Sequence, residues 1–162
     1  MTEESSSRTD DAIFVVNTIR ALYRSFPCIP ELVNTKLNEF VLSVASTSEG
    51  GLLGMALHPD FNNNHYFYVY VTVEKENNTI NQVEQWRLSE DRISAERIKV
   101  IFDKIEAARY HDGGRIAFGP DGMLYAGTGD ARDPDTSQDP DSPNGKLLRL
   151  TLDGDKILHI GK

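Results

Sequence analysis

Met55-Ala56-Leu57-His58-Pro59-Asp60 and Ile116-Ala117-Phe118-Gly119-Pro120-Asp121 carry one pattern twice, and reading them as a repeat decides the fold. The alanines (Ala56, Ala117) and the Pro-Asp pairs stand 61 positions apart. A double glycine precedes each copy, Gly50-Gly51 in the first and Gly113-Gly114 in the second. A strand-like run follows each, Tyr68-Val69-Tyr70-Val71-Thr72 and Leu124-Tyr125-Ala126-Gly127-Thr128. A repeat of this length with several strands per copy is the pattern of propeller blades, each of which buries its faces only against neighbours. Two hairpins sharing a Pro-Asp turn would give the same pattern, and the repeat alone leaves that alternative open.

Outward from the repeat, strand-like segments continue at intervals of about 10 residues, the spacing of sandwiches, barrels and propellers. They fall at 12–16, 21–26, 39–44, 66–74, 82–88, 97–102, 115–118, 123–127 and 146–152. Residues 66–74 alternate aromatic and β-branched side chains, as expected for a half-buried strand. Residues 13–23 allow a weaker helical reading. The expected fold class is all-β, a β-propeller. At about 60 residues per blade the chain holds two to three blades, fewer than the 4 to 8 that close a ring. Residues 1–11 are polar and Ser-rich and read as a disordered tail, leaving 12–162 as a partial propeller.

Composition narrows the function. A net charge of −8 over 162 residues argues against nucleic acid, whose phosphates call for clustered Lys and Arg. No apolar run reaches the ~18 residues of a membrane helix, and the amino-terminal stretch does not read as a secretory signal. Cys28 is the single cysteine, which excludes an intrachain disulfide and a CxxC site. His58, His65, His111 and His159 lack zinc-site spacing. Asp133-Pro134-Asp135-Thr136-Ser137 opens like a calcium loop, but Gln138 and Asn144 stand where such a loop needs Gly and Glu, so a solvated loop is expected. Gly127-Thr128-Gly129 lacks the third glycine and the helix of a dinucleotide loop.

The chemistry concentrates in Arg109-Tyr110-His111-Asp112-Gly113-Gly114-Arg115. If the strand that follows lines a propeller channel, His111 sits at its mouth. An imidazole there titrates near neutral pH and suits a general base. The hairpin turned at Pro120-Asp121-Gly122 brings Asp130 back to the same end, where it either orients His111 or caps the next turn. By the repeat, Glu49-Gly50 occupies the place of Tyr110-His111, so Glu49 faces the same mouth, as a hydrogen-bonding group for a polar ligand or as a solvated loop carboxylate.

These motifs resemble those of the glucose/sorbosone dehydrogenase family, soluble aldose sugar dehydrogenases that use pyrroloquinoline quinone. Residues 49–61 resemble its opening blade motif, residues 111–130 the next, and 138–142 with 145–150 the segment after that. The resemblance covers about 110 residues in register. It implies a six-bladed propeller with the quinone at the channel mouth, together with calcium. It implies His111 as the catalytic base that takes the proton of the sugar's anomeric hydroxyl, Asp130 as its orienting carboxylate, and Glu49 on the substrate side. The implied product is an aldonolactone and the implied location periplasmic or secreted. The family's cationic quinone contacts and its calcium ligands come from later blades, so no cofactor-binding or metal residue is assigned here. The chain is expected to be a fragment, truncated or frameshifted, inactive alone and able to pair with a separately encoded remainder. A non-catalytic propeller module that binds carbohydrate or protein is the rival from another class.

Overall fold

The computed structural model describes Ala45, residues 48–76, 78–91 and 94–153, and the backbone of Ile157–Ile160. The expected tail at 1–11, the strand-like segments at 12–16, 21–26 and 39–44, the weaker helix at 13–23, Cys28 and the side chain of His159 lie outside the described residues.

Two four-stranded antiparallel sheets follow one another along the chain. The first contains β1 (Leu52–Leu57), β2 (Tyr66–Lys75), β3 (Asn78–Leu88) and β4 (Ala95–Glu106), with a one-turn helix α1 (Phe61–Asn64) between β1 and β2. The second contains β5 (Gly113–Phe118), β6 (Leu124–Thr128), β7 (Leu147–Leu150) and β8 (Ile157–Ile160), with α2 (Pro134–Gln138) between β6 and β7. In each sheet the spatial order is the chain order, so each is a simple meander, the form of a propeller blade. The repeat therefore reflects two successive blades. Its two copies lie on the first strands, β1 and β5, although β1 had not been expected as a strand.

The turns follow from their residues. Lys75 pairs with Asn78 across a two-residue connection, and Glu76 takes a left-handed φ of 57° there, as tight hairpins require. At Pro120-Asp121-Gly122 the Asp121 carboxylate accepts the Met123 N–H at 3.2 Å, the Tyr125 hydroxyl at 2.9 Å and Arg149 Nε at 2.8 Å. The Arg149 guanidinium, followed by the backbone and tyrosine bonds, holds the Asp121 carboxyl below its usual range. This turn closes one end of the β5–β6 hairpin and leaves the other end for the site.

Strand β2 is not half-buried. Phe67 through Thr72 are all buried, on both faces. Tyr68 and Tyr70 join a core with Ile105 of the first sheet and Ile116, Leu124, Ala126, Leu148 and Leu150 of the second. Phe67, Val69 and Val71 face the other way, against Phe61, Trp86 and Leu88. The aromatic and β-branched alternation marks two different cores rather than one core and water. Full burial of side chains this size contributes roughly 1.5–3 kcal/mol each, so the shared core couples the two sheets.

Their first strands also meet backbone to backbone. A Cβ on Gly54 would lie 2.0 Å from the Gly114 carbonyl oxygen, and one on Gly114 would lie 2.3 Å from Leu53 Cβ. Any side chain there would push β1 and β5 apart. Among the described residues no helix is long and apolar enough to cross a membrane.

Candidate active site

β4 ends at Glu106 and β5 begins at Gly113, and the connection between them carries Arg109, Tyr110, His111 and Asp112. Register places Gly113 opposite Thr128, so the residues before Gly113 meet those after Thr128. Two further backbone bonds extend the ladder: Gly129 N–H to the Asp112 carbonyl at 3.3 Å, and Ala131 N–H to the His111 carbonyl at 3.2 Å. Gly129 permits this closeness, since a Cβ there would lie 1.6 Å from the His111 oxygen. His111 and Asp130 are thus held at one end of a single hairpin.

Their side chains touch. His111 Nδ1 lies 3.0 Å from Asp130 Oδ1. The Arg132 N–H also donates to Oδ1, at 2.9 Å. That backbone bond and then the His111 ring hold the Asp130 carboxyl below its usual range, so it is ionised at neutral pH. An ionised carboxylate only accepts, which makes Nδ1 the protonated ring nitrogen and turns Nε2 away from Asp130. The His111 side chain is 64% exposed and that of Asp130 24%, so the imidazole is open to a ligand while its partner is partly sheltered. Asp130 both faces the imidazole and caps the following turn.

The backbone is strained at this point. His111 has φ 68°, Ala131 φ 50° and Arg132 φ 67°. Each left-handed non-glycine residue costs roughly 1–2 kcal/mol, and three of them flank one His-Asp contact.

Glu49 arrives from the first blade. Its Oε2 accepts the His111 main-chain N–H at 2.8 Å, and its own N–H donates to the Arg109 carbonyl at 3.3 Å. The structure therefore brings all three expected residues, Glu49, His111 and Asp130, to one rim where the two sheets meet. Arg109 and Arg132 both approach the Tyr110 ring, at 5.4 and 5.9 Å from its centroid.

Several supporting residues had no clear signal in the sequence. Asp112 is buried, and its Oδ1 accepts Asn81 Nδ2 at 2.8 Å and the Ala108 N–H at 3.0 Å. The Tyr70 hydroxyl donates to the Asp112 carbonyl at 3.0 Å, and burial, then the nearby Asp112 charge, pushes that phenol far up. Buried Asn144 donates from Nδ2 to the carbonyls of Glu106 and Gly129, joining the end of β4 to the site. Thr72 could have been flagged as a polar residue inside an otherwise apolar run, whereas Asn81 sits among other polar residues of β3.

The acid-rich stretch forms a series of local caps. Asp133 accepts the Asp135 N–H at the start of α2, and Asp139 accepts that of Asp141. Lys146 Nζ donates to the carbonyls of Thr136, Ser137 and Asn144. Among the described residues no group of three or more His, Cys, Asp or Glu side chains is placed to hold a metal ion.

Comparison with known proteins places the chain in a family. Residues 30–158 match the glucose/sorbosone dehydrogenase family. The PQQ-bound aldose sugar dehydrogenase of Streptomyces coelicolor superimposes with a TM-score of 0.63 at 42% identity, over 69% of this chain and 33% of that one. The aldose sugar dehydrogenase YliI of Escherichia coli strain K12 is 31% identical over 118 residues, covering 71% of this chain and 32% of its own. The Hedgehog-interacting protein of Mus musculus is 31% identical over 120 residues, covering 66% of this chain and 17% of its own. The chain thus spans about a third or less of the length of these relatives. The chain belongs to the glucose/sorbosone dehydrogenase family.

Proposed function

We propose that these blades carry the proton-accepting side of an aldose dehydrogenase site that uses pyrroloquinoline quinone, with His111 as general base. The single observation that carries the reading is the 3.0 Å contact between His111 Nδ1 and ionised Asp130, on an exposed rim. Nε2 takes the proton of the sugar's anomeric hydroxyl. Removing it pushes electron density toward the anomeric carbon and weakens its C–H bond. Asp130 steadies the imidazolium that forms. Glu49 spends one oxygen on the His111 backbone, and its other oxygen accepts from a sugar hydroxyl. The quinone, when bound, supplies the hydride acceptor, and an aldonolactone results.

The described residues fit only part of the cofactor. The exposed imidazole suits the reacting side of a quinone. No Lys or Arg is buried among the described residues, and no acid cluster is placed for calcium. Neither cofactor is assigned a ligand in this chain.

The second reading, a propeller that binds a protein or carbohydrate without catalysis, has one observation in its favour: the similarity to the Hedgehog-interacting protein. A chimera separates the two. Residues 49–150 replace the matching stretch of the Escherichia coli aldose sugar dehydrogenase, and aldose oxidation is measured with quinone and calcium added. Turnover that falls about 100- to 10,000-fold in His111→Ala supports the base. Turnover unchanged by that substitution contradicts it and leaves the binding module. The chain alone, assayed in parallel, is expected to show no turnover.

A further inference from the structure

We propose that Thr72, Asn81 and Asp112 form a buried positioning relay that locks the Glu49 loop to the His111 loop. The function of the relay rests on the reading of His111 as the base; its geometry does not. The Gly51 N–H donates to Thr72 Oγ1 at 3.0 Å. Thr72 Oγ1 donates to Asn81 Oδ1 at 2.7 Å. Asn81 Nδ2 donates to Asp112 Oδ1 at 2.8 Å. The same Asp112 oxygen takes the Ala108 N–H and so closes the turn that contains His111. His111 N–H returns to Glu49 Oε2, two residues before Gly51, and completes the circuit.

The direction of every bond is forced. The Gly51 N–H only donates and the Asn81 amide oxygen only accepts, so Thr72 Oγ1 accepts the first and gives its one proton to the second. The Asn81 oxygen faces Thr72 and its NH2 group faces Asp112. Asp112 Oδ1 then accepts twice, from Asn81 Nδ2 and from the Ala108 N–H. Thr72 and Asn81 are fully buried and Asp112 is 2% exposed, so water does not compete for these bonds.

The relay is expensive. Asp112 Oδ2 is buried without a hydrogen-bond partner among the described residues. An unsatisfied buried polar group costs about 1–3 kcal/mol, and a charged one more. An apolar residue would avoid that cost but would release Ala108 and Asn81. The arrangement exchanges stability for a fixed distance between the His111 backbone and the Glu49 carboxylate across the blade seam.

Amide hydrogen exchange at His111, read by NMR on the full chain, tests this without any turnover. Thr72→Val keeps the side-chain shape and removes the oxygen. It is expected to speed His111 exchange about 10-fold, the loss of one net hydrogen bond, with Thr72→Ser restoring protection. Asp112→Ala should have a larger effect than Asp112→Asn, which retains Oδ1. Unchanged His111 exchange in folded Thr72→Val overturns the relay, and this variant decides the matter if Asp112→Ala does not fold. Because no sugar or quinone is present, a His111 without a catalytic role leaves the outcome intact.

Discussion

His111 Nδ1 and Asp130 Oδ1 meet at 3.0 Å although nineteen positions and a complete hairpin separate the two residues. The contact exists because β5 and β6 pair antiparallel and Gly129 lets the two chains close behind it.

Gly129→Ala should damage both stability and site. The new methyl would overlap the His111 carbonyl, and the obstacle is backbone rather than a movable side chain. Overpacking of this kind costs about 1–3 kcal/mol. Urea unfolding should show a loss in that range, and the His111 ring signals should shift in the folded variant. Wild-type stability in Gly129→Ala would mean that the hairpin end is looser than the geometry described.

The Asp130 contact should survive into acid. Its carboxyl is held low by the Arg132 N–H and then by His111. A depressed folded-state pKa stabilises the fold above the unfolded value, roughly pH 3.9, and that contribution disappears as pH falls through the lower folded value. Titration of the Asp130 side-chain carbon by NMR should therefore give a midpoint below that of an ordinary aspartate. Asp130→Asn should remove this acid-range contribution.

Leu148→Ala should unfold both sheets together. Leu148 is fully buried in the core that Tyr68 and Tyr70 share with the second sheet. Deleting a buried leucine side chain costs about 2–5 kcal/mol. Trp86 fluorescence in the first sheet should report the same midpoint as far-UV circular dichroism. Two separated transitions would show that the blades fold independently.

Lys146→Met should free the loop from Asp130 to Gly145. The ammonium ties down three carbonyls, two of them from α2. Hydrogen bonds to charged groups contribute about 1.5–3 kcal/mol each, shared here among three partly buried partners. Exchange at Asp139, whose N–H reaches the Asp135 carbonyl, should accelerate while exchange at Ile116 stays slow.

Local pairing made much of this legible in the sequence. The hairpin, its Pro-Asp turn and the meeting of His111 with Asp130 involve neighbouring strands and one short connection. The place of Glu49 followed from the repeat, because equivalent positions in successive blades face the same rim. The reading failed where burial depends on contacts far apart in sequence. Strand β2 looked half-buried because alternation cannot reveal that its second face also meets a core. The burial of Asp112, which lies in a connection, was not legible because its partners Asn81 and Tyr70 lie 31 and 42 positions away. The acid-rich stretch reads as a solvated loop, and its local order, with Asp130, Asp133 and Asp139 each capping a residue two places on, goes beyond that reading.

The measurement closest to the central claim is the nitrogen-15 spectrum of the His111 ring in the full chain near neutral pH. A proton on Nδ1 and a bare, proton-accepting Nε2 are expected, with that preference lost in Asp130→Ala. A neutral ring protonated at Nε2, with Nδ1 bare, would contradict the account, since the nitrogen facing a ligand would then hold a proton rather than receive one.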